Sequence, residues 1–176
     1  MKKYIKLICL VLVFTVLIAG AVVLYNKLKG EVAGDVAQSV DKAPGFTVED
    51  YDGNAVSLSD FEGKPIVLNI WASWCPSCKA EMPDFEAAYK KYGDEIVFLM
   101  INATGGQETV ATAKGFIESS GYTFPVYFDT AYEVSYAYRA TSIPKTFFID
   151  RGGNLVAHAP GMLTASALEN GINMIK

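Results

Sequence analysis

The sequence predicts an α/β domain in which a central mixed β-sheet is flanked by helices. Two nearly continuous apolar segments, Pro65–Trp71 and Ile96–Asn102, have the composition of strands that are buried on both faces of a sheet. A helical stretch separates these segments, as a parallel pair of strands requires. Segments typical of β-hairpins come before and after this β-α-β region, which favours a sheet with both parallel and antiparallel strands.

The composition of the 176 residues argues against several classes of protein. Hydrophobic residues make up 51% of the chain and charged residues 19%, which is typical of a folded protein. Three cysteines are too few for a disulfide-dense scaffold, and a single histidine argues against a His-rich metal site. The net charge of −4 argues against a nucleic-acid binder. We therefore expect no metal centre and no nucleic-acid partner. A monomer is expected as well.

The amino end has the pattern of a membrane anchor. Three lysines precede an uncharged run of 19 residues, Leu7–Tyr25. As a helix this run would be about 28 Å long, close to the roughly 30 Å hydrocarbon core of a bilayer. Residues 1–25 are therefore predicted to form a signal-anchor or transmembrane helix. The lysines favour an amino terminus inside the cell, so we expect a single-pass protein of the cell membrane with its domain on the extracytoplasmic side.

A cleaved signal peptide is the alternative for this segment. Ala19-Gly20-Ala21 offers the small-residue pattern that a signal peptidase recognises, and cleavage would make the protein secreted. The apolar run continues beyond this point to Tyr25, which favours the uncleaved anchor. Cys9 lies inside the run, where a cysteine behaves as a small apolar residue.

The rest of the chain is divided into a linker and one domain. Residues 26–43 are polar and small with no apolar period, which predicts a linker, and residues 44–176 are predicted to form the domain. Its first element is a β-hairpin, because Phe46–Glu49 and Ala55–Leu58 flank the turn signal Asp52-Gly53-Asn54.

The remaining elements follow in order from apolar periodicity and from capping residues. Ser59 is predicted to cap a short turn that ends at Gly63. A long helix is predicted after the strand Pro65–Trp71 and the cysteine pair that follows it; it runs to about Tyr92 and is ended by Gly93. The later elements are strand Ile96–Asn102, helix Thr109–Ser119, strand Val126–Asp129, helix Ala131–Tyr138, strands Thr146–Asp150 and Leu155–Ala159 around a glycine turn, and helix Thr164–Ile175.

The pattern that carries chemistry is Trp74-Cys75-Pro76-Ser77-Cys78. A Cys-x-x-Cys pair directly after a buried strand, at the start of a helix, is a redox signature. The unpaired N–H groups of the first helical turn favour an anion, and they lower the pKa of a thiol placed there from about 8.5 into the range of roughly 3.5–7.5. Cys78 lies on the same helix face and can close a disulfide with Cys75. Pro76 suits the first turn because its missing N–H would be unpaired there.

Three other uses of a cysteine pair fit this sequence less well. A zinc site needs four ligands, and the chain offers no second pair. Attachment of c-type haem needs a histidine directly after the second cysteine, where Lys79 stands. A purely structural disulfide would close a loop of only a few residues and would gain little stability.

Residues 44–176 resemble the thioredoxin superfamily, and specifically the membrane-tethered TlpA/ResA-like thiol-disulfide oxidoreductases. The stretch Ile66–Glu81 (IVLNIWASWCPSCKAE) carries the resemblance, with its buried strand, Trp-Ala-x-Trp, Cys-x-x-Cys and Lys-x-Glu. The resemblance implies a thioredoxin fold with an N-terminal β-hairpin extension. It also implies that Cys75 and Cys78 are catalytic, and that their redox-active disulfide works without another cofactor.

The resemblance further implies a substrate surface around the cysteines. Thr141–Pro144 matches the loop whose cis-proline faces the cysteine pair in this superfamily. The backbone of Ile143, before Pro144, is expected to pair with an extended chain of the partner. Trp74 and Pro76 flank the first cysteine and complete the predicted substrate-binding set.

Asn69 marks a departure from ordinary thioredoxin, which has a buried aspartate six residues before the first cysteine. An asparagine cannot take up a proton. Glu81 lies three residues after Cys78 on the same helix face, and TlpA/ResA relatives have a functional glutamate there. We therefore predict that Glu81 is the catalytic proton acceptor for Cys78; a solvated surface acid is the alternative.

The predicted activity is reduction of disulfides in partner proteins on the extracytoplasmic side. The resemblance implies an integral-membrane thiol electron donor, and roles in cytochrome c maturation, in sporulation or in electron supply to methionine sulfoxide reductases. A disulfide oxidase is the nearest alternative, because sequence does not set the redox potential. A thiol peroxidase would need Thr or Ser and Pro where Ala72 and Leu68 stand. A copper metallochaperone, a non-enzymatic alternative, would need three residues between the cysteines.

Overall fold

The computed structural model describes residues 14–15, 17–23 and 37–176, and for residues 37–40 it describes the backbone alone. The chain divides into two compact units, residues 1–33 and 34–176. In the first unit the described residues are helical and their side chains are exposed. Among the described residues there is no helix with both the length and the apolar character to cross a bilayer. The rest of the predicted anchor, with Cys9, and residues 26–36 of the predicted linker lie outside the described residues.

The described part of the second unit is built on an eight-stranded mixed sheet. The strands are β1 (Ala37–Lys42), β2 (Thr47–Glu49), β3 (Ala55–Ser57), β4 (Ile66–Trp71), β5 (Val97–Asn102), β6 (Val126–Phe128), β7 (Lys145–Ile149) and β8 (Asn154–Pro160). Their spatial order is β1-β8-β7-β4-β5-β6-β2-β3. Strands β4, β5 and β6 are parallel, and the others join them antiparallel. The mixed sheet and the N-terminal hairpin β2–β3 were predicted, and both are confirmed.

Strand β4 divides the core between the two faces of the sheet. The helices are α1 (Pro76–Tyr92), α2 (Val110–Ser120), α3 (Glu133–Ala137) and α4 (Ala165–Ile175). Val67 and Trp71 face the cluster that contains the buried side chains of α1, α2 and α4. Ile66, Leu68 and Ile70 face the opposite cluster, which contains the hairpin and α3. Successive strand residues point to opposite faces, so a strand covered on both sides is apolar throughout.

Two features differ from the sequence predictions. Strand β1 lies within residues 26–43, the predicted linker, and pairs antiparallel with β8 at one edge of the sheet. Its sequence, AQSVDK, has no apolar alternation, because an edge strand need not bury a continuous apolar face. The short 3₁₀ turn Leu58–Phe61 is capped by Ser57, whose backbone N–H binds Asp60, and not by Ser59.

Candidate active site

Cys75 stands where the chain passes from β4 into α1. It is the N-cap of α1, one residue before the first helical turn, and Pro76 occupies the N1 position. The Cys78 N–H donates to the Cys75 sulfur at 3.2 Å. The helix therefore directs at this sulfur an amide of its first turn that has no partner within the helix, which favours a thiolate there.

The two cysteines are joined by a disulfide, with their Cα atoms 5.3 Å apart. Cys75 is 4% exposed and Cys78 is fully buried. The buried cysteine belongs to the cluster around Trp71, Met82 and Phe85, on the α1 side of the sheet. The pair can therefore alternate between disulfide and dithiol at one end of a rigid helix.

The loop that precedes β7 meets the disulfide. The Ile143–Pro144 peptide bond is cis, as the sequence predicted. The Ile143 carbonyl oxygen lies 3.8 Å from the Cys75 sulfur, and the Pro144 carbonyl accepts a hydrogen bond from the Gly161 N–H at 2.9 Å. The structure thus brings together Cys75 and the predicted proline loop, which are about 70 residues apart in the chain.

The side chains around the disulfide differ in accessibility. Trp74 is 48% exposed and Pro76 is also exposed, so both present surface to a docking protein. Ile143 is half-buried and Pro144 is buried, whereas Thr141 and Ser142 in the same loop are exposed. In the structure, Trp74 and Pro76 stand on either side of Cys75 in the chain, and the Ile143 carbonyl contacts its sulfur.

Glu81 is buried beneath this site, one helical turn beyond Cys78. The side chain is 1% exposed. One carboxylate oxygen accepts a hydrogen bond from Asn69 Nδ2 and the other accepts one from the Leu163 N–H, both at 2.8 Å. Burial raises the pKa of Glu81 to about 7, although these two hydrogen bonds act in the opposite direction. The alternative of a solvated surface acid is therefore wrong.

Asn69 connects Glu81 to the neighbouring strand. Its side chain is fully buried, and Nδ2 also donates to the Thr146 hydroxyl at 3.0 Å. Its Oδ1 atom is buried and has no hydrogen-bond partner among the described residues. A buried acceptor without a partner is costly, and this oxygen can therefore still accept a hydrogen bond.

The structure also reveals a second buried acid near the cysteines, which sequence reasoning missed. Glu108 is 2% exposed, and its carboxylate accepts hydrogen bonds from the Ser73 backbone N–H at 3.2 Å and the Ser73 hydroxyl at 2.9 Å. Asn102 Nδ2 donates to the other carboxylate oxygen at 3.1 Å. A loop glutamate 35 residues from its partner leaves no local sequence signal. Among the described residues, no cluster of three or more His, Cys, Asp or Glu side chains suited to a metal ion is found.

The thioredoxin-like fold and the paired cysteines define a thiol-disulfide oxidoreductase. The chain belongs to the AhpC/TSA family, whose model matches residues 40–158. It is 41% identical over 142 residues to "Thiol-disulfide oxidoreductase ResA" of Oceanobacillus iheyensis, covering 77% of this chain and 71% of that protein. The protein of the same name from Bacillus subtilis is 36% identical over 134 residues, covering 76% and 74%. The resemblance inferred from Ile66–Glu81 is therefore confirmed.

Solved structures agree with this assignment. A crystal structure described as a putative thiol:disulfide interchange protein DsbE from Chlorobium tepidum aligns with a TM-score of 0.69 at 28% sequence identity. The alignment covers 78% of this chain and 96% of that chain. Nearly the whole of that protein therefore corresponds to the thioredoxin-like unit described here.

Proposed function

We propose that this protein reduces disulfides in partner proteins on the extracytoplasmic side of the cell membrane, through Cys75 and Cys78. The observation that carries the proposal is the position of the Cys75 sulfur, which meets the first turn of α1 and the Ile143 carbonyl together. The helix stabilises a thiolate nucleophile, and the loop offers backbone groups to an extended chain. The name shared by its relatives, thiol-disulfide oxidoreductase ResA, supports this chemistry.

The reduction proceeds in two exchange steps. The Cys75 thiolate attacks one sulfur of the partner disulfide, forms a mixed disulfide and displaces the other sulfur as a thiolate. Cys78 then loses its proton and attacks the Cys75 sulfur, which breaks the mixed disulfide and releases the second partner thiol. The partner gains two electrons, and the protein is left with the Cys75–Cys78 disulfide seen in the structure.

Glu81 is proposed as the acceptor of the Cys78 proton. Its carboxyl is buried on the same face of α1 as Cys78, one turn further along the helix. A pKa raised to about 7 by burial suits a group that both takes up and releases a proton near neutral pH. Asn69 and the Leu163 amide hold the carboxylate in place.

The location and the electron supply complete the proposal. The lysine-preceded apolar run in residues 1–25 supports an anchor with the domain outside the cell. An oxidising compartment requires an electron donor, for which an integral-membrane thiol protein is proposed. Reduction of apocytochrome c cysteines, service in sporulation and supply to methionine sulfoxide reductases are the candidate roles.

The decisive experiment is a trap for the mixed disulfide. Cys78→Ser leaves Cys75 able to attack but removes the thiol that resolves the adduct, so we expect the full chain to accumulate covalent adducts with a disulfide-containing partner. Mass spectrometry after non-reducing electrophoresis identifies the partner. Cys75→Ser is the matched control and should capture nothing. Absence of adducts through Cys75 would contradict the reductase proposal.

The direction of electron flow is tested by the redox potential. A reductase is expected near the thioredoxin end of the superfamily range, at roughly −270 mV, and an oxidase near roughly −120 mV. Equilibration of the full chain with glutathione buffers, read by alkylation of free thiols, measures this value. A potential near that of the oxidases would reverse the proposed direction and leave the thiol chemistry unchanged.

A further inference from the structure

Glu108 is a buried acid that the disulfide-exchange steps above do not use. It lies directly before Thr109, the N-cap of α2, and it is 2% exposed. Its carboxylate oxygen Oε2 accepts both the backbone N–H and the hydroxyl of Ser73, which is two residues before Cys75. A buried acid is costly unless it is well paired, so its position beside the nucleophile's loop calls for a reason.

The loop that carries Glu108 is held in one conformation. Gly105 and Glu108 exchange two backbone hydrogen bonds, of 2.9 and 3.0 Å. Gly105 has φ +140°, and a Cβ at this position would overlap the Tyr132 hydroxyl. The Thr104 hydroxyl donates to Asn102 Oδ1 at 2.9 Å, which fixes the amide so that its NH₂ group faces Glu108. The carboxylate is therefore presented to Ser73 by a rigid frame.

The groups that bind the Glu108 carboxylate carry no formal charge. The groups bound to it, two from Ser73 and one from Asn102, are all neutral donors, which is the pattern around a carboxylate anion. Within the part of the chain that the structure describes, no lysine or arginine forms an ion pair with it. The Cys75 N–H binds the Ala72 carbonyl at 3.2 Å, so Ser73 lies inside the tight turn that ends at Cys75. The carboxylate and the Cys75 sulfur are then on the order of 10 Å apart.

We propose that Glu108 is a positioning residue for Cys75, which holds the loop before the nucleophile through Ser73 and places a buried negative charge behind it. The charge opposes the helix N-terminus, because it disfavours a second anion nearby. A less stable thiolate makes the dithiol a stronger reductant, since the reduced state is stabilised less. The inference rests on the proposed function only in one respect, that a low redox potential benefits a reductase. The effect of Glu108 on the Cys75 thiol does not depend on any partner protein.

The test compares variants that remove the charge with one that keeps it. In the full chain, Glu108→Gln and Glu108→Ala remove the carboxylate. Ser73→Ala removes only the hydrogen bond from the Ser73 hydroxyl and keeps the Glu108 carboxylate. At about 10 Å and an effective dielectric constant near 20, loss of the charge should lower the pKa of the Cys75 thiol by about one unit. The pKa is measured from the pH dependence of iodoacetamide alkylation of Cys75 in a Cys78→Ser background.

The redox potential of the Cys75–Cys78 pair is a second readout. A merely structural role of Glu108 would not shift this potential in the predicted direction. Above the pKa of Cys75, the charge-removing variants should shift the thiol-disulfide equilibrium about tenfold, or about 30 mV, toward the oxidant side. In Ser73→Ala, the pKa of Cys75 and the potential should each change by less than about a third of what the charge-removing variants show. The exposed Glu95→Gln is the control for general loss of charge and should change neither.

Two results would overturn the inference. One is an unchanged Cys75 pKa in whichever of Glu108→Gln and Glu108→Ala retains the wild-type circular dichroism spectrum. The other is an equal fall in Ser73→Ala, which would assign the effect to the hydrogen bond and not to the charge. These measurements use a small alkylating reagent, so failure to trap a protein partner would contradict the proposed function and leave this inference standing.

Discussion

Burial of the Glu81 carboxyl predicts a specific pH dependence of folding stability, which Glu81→Gln should remove. In the folded protein, burial raises the pKa of this group from its ordinary value of 4.5 to about 7. A group whose pKa is raised by folding stabilises the folded state fully below its unfolded value, and this contribution is lost as the pH rises through the folded value. The wild-type protein should therefore lose stability between about pH 4.5 and pH 7 through Glu81.

The size of this effect follows from the difference between the two pKa values. One pKa unit corresponds to about 1.4 kcal/mol, so the Glu81 contribution to the free energy of unfolding should fall by about 3 kcal/mol across this interval. A glutamine at position 81 does not titrate. It can still accept the Leu163 N–H, and the unpaired Asn69 Oδ1 can accept its NH₂ group if the Asn69 amide turns over. These rearrangements add an offset that does not depend on pH.

Urea unfolding of the oxidised full chain, followed by circular dichroism at intervals between pH 4 and pH 8, tests the prediction. The free-energy difference between Glu81→Gln and wild type should move by about 3 kcal/mol in favour of the variant as the pH rises. Glu95→Gln, in an exposed loop, is the matched control and should give a profile parallel to the wild type. If the profile of Glu81→Gln is also parallel to the wild type, the reasoning about the buried carboxyl is refuted.

The remaining predictions concern the helices that cover the sheet. Gly171→Ala should lower the free energy of unfolding by about 1–3 kcal/mol, because the new methyl group would overlap the Phe148 ring. Gly115→Ala, a helical glycine with no neighbouring atom within 4 Å of the new Cβ, should raise it by about 0.4–1 kcal/mol, and a loss of stability there would contradict the argument. Thr109→Ala should cost about 1 kcal/mol in urea unfolding, because the Thr109 hydroxyl caps α2; an unchanged midpoint would show that the cap contributes nothing.

Local signals account for what the sequence could predict. The strand, the cysteine pair and the helix of Ile66–Glu81 are contiguous, so apolar pattern, capping and spacing all act within 16 residues. The proline loop could be placed through the resemblance to the thioredoxin superfamily, which Pro144 matches by standing directly before an apolar strand. Glu81 was found because it lies one helical turn after Cys78 and because the TlpA/ResA relatives have a functional glutamate there.

Long-range partners and polar strands escaped prediction. The backbone amide that binds Glu81 belongs to Leu163, 82 residues later in the chain. The backbone amide of Ser73 binds Glu108, 35 residues later. Such pairs are set by the sheet topology, and neither residue carries a mark of its partner. Strand β1 (Ala37–Lys42) is polar and lies at the sheet edge, so it lacked the alternation by which strands are recognised.

The different accessibility of the two sulfurs sets the regiochemistry of the catalytic cycle. Cys78 is fully buried, whereas Cys75 retains a small exposed area beside the exposed Trp74. An incoming thiolate that re-reduces the protein must approach in line with the sulfur–sulfur bond, and of the two residues Cys75 alone has any exposed surface. We expect Cys78 to be the leaving group at every turnover, inside the protein and next to its proposed acid. The same asymmetry should direct peroxides and small electrophiles to Cys75 and keep Cys78 chemically intact between cycles.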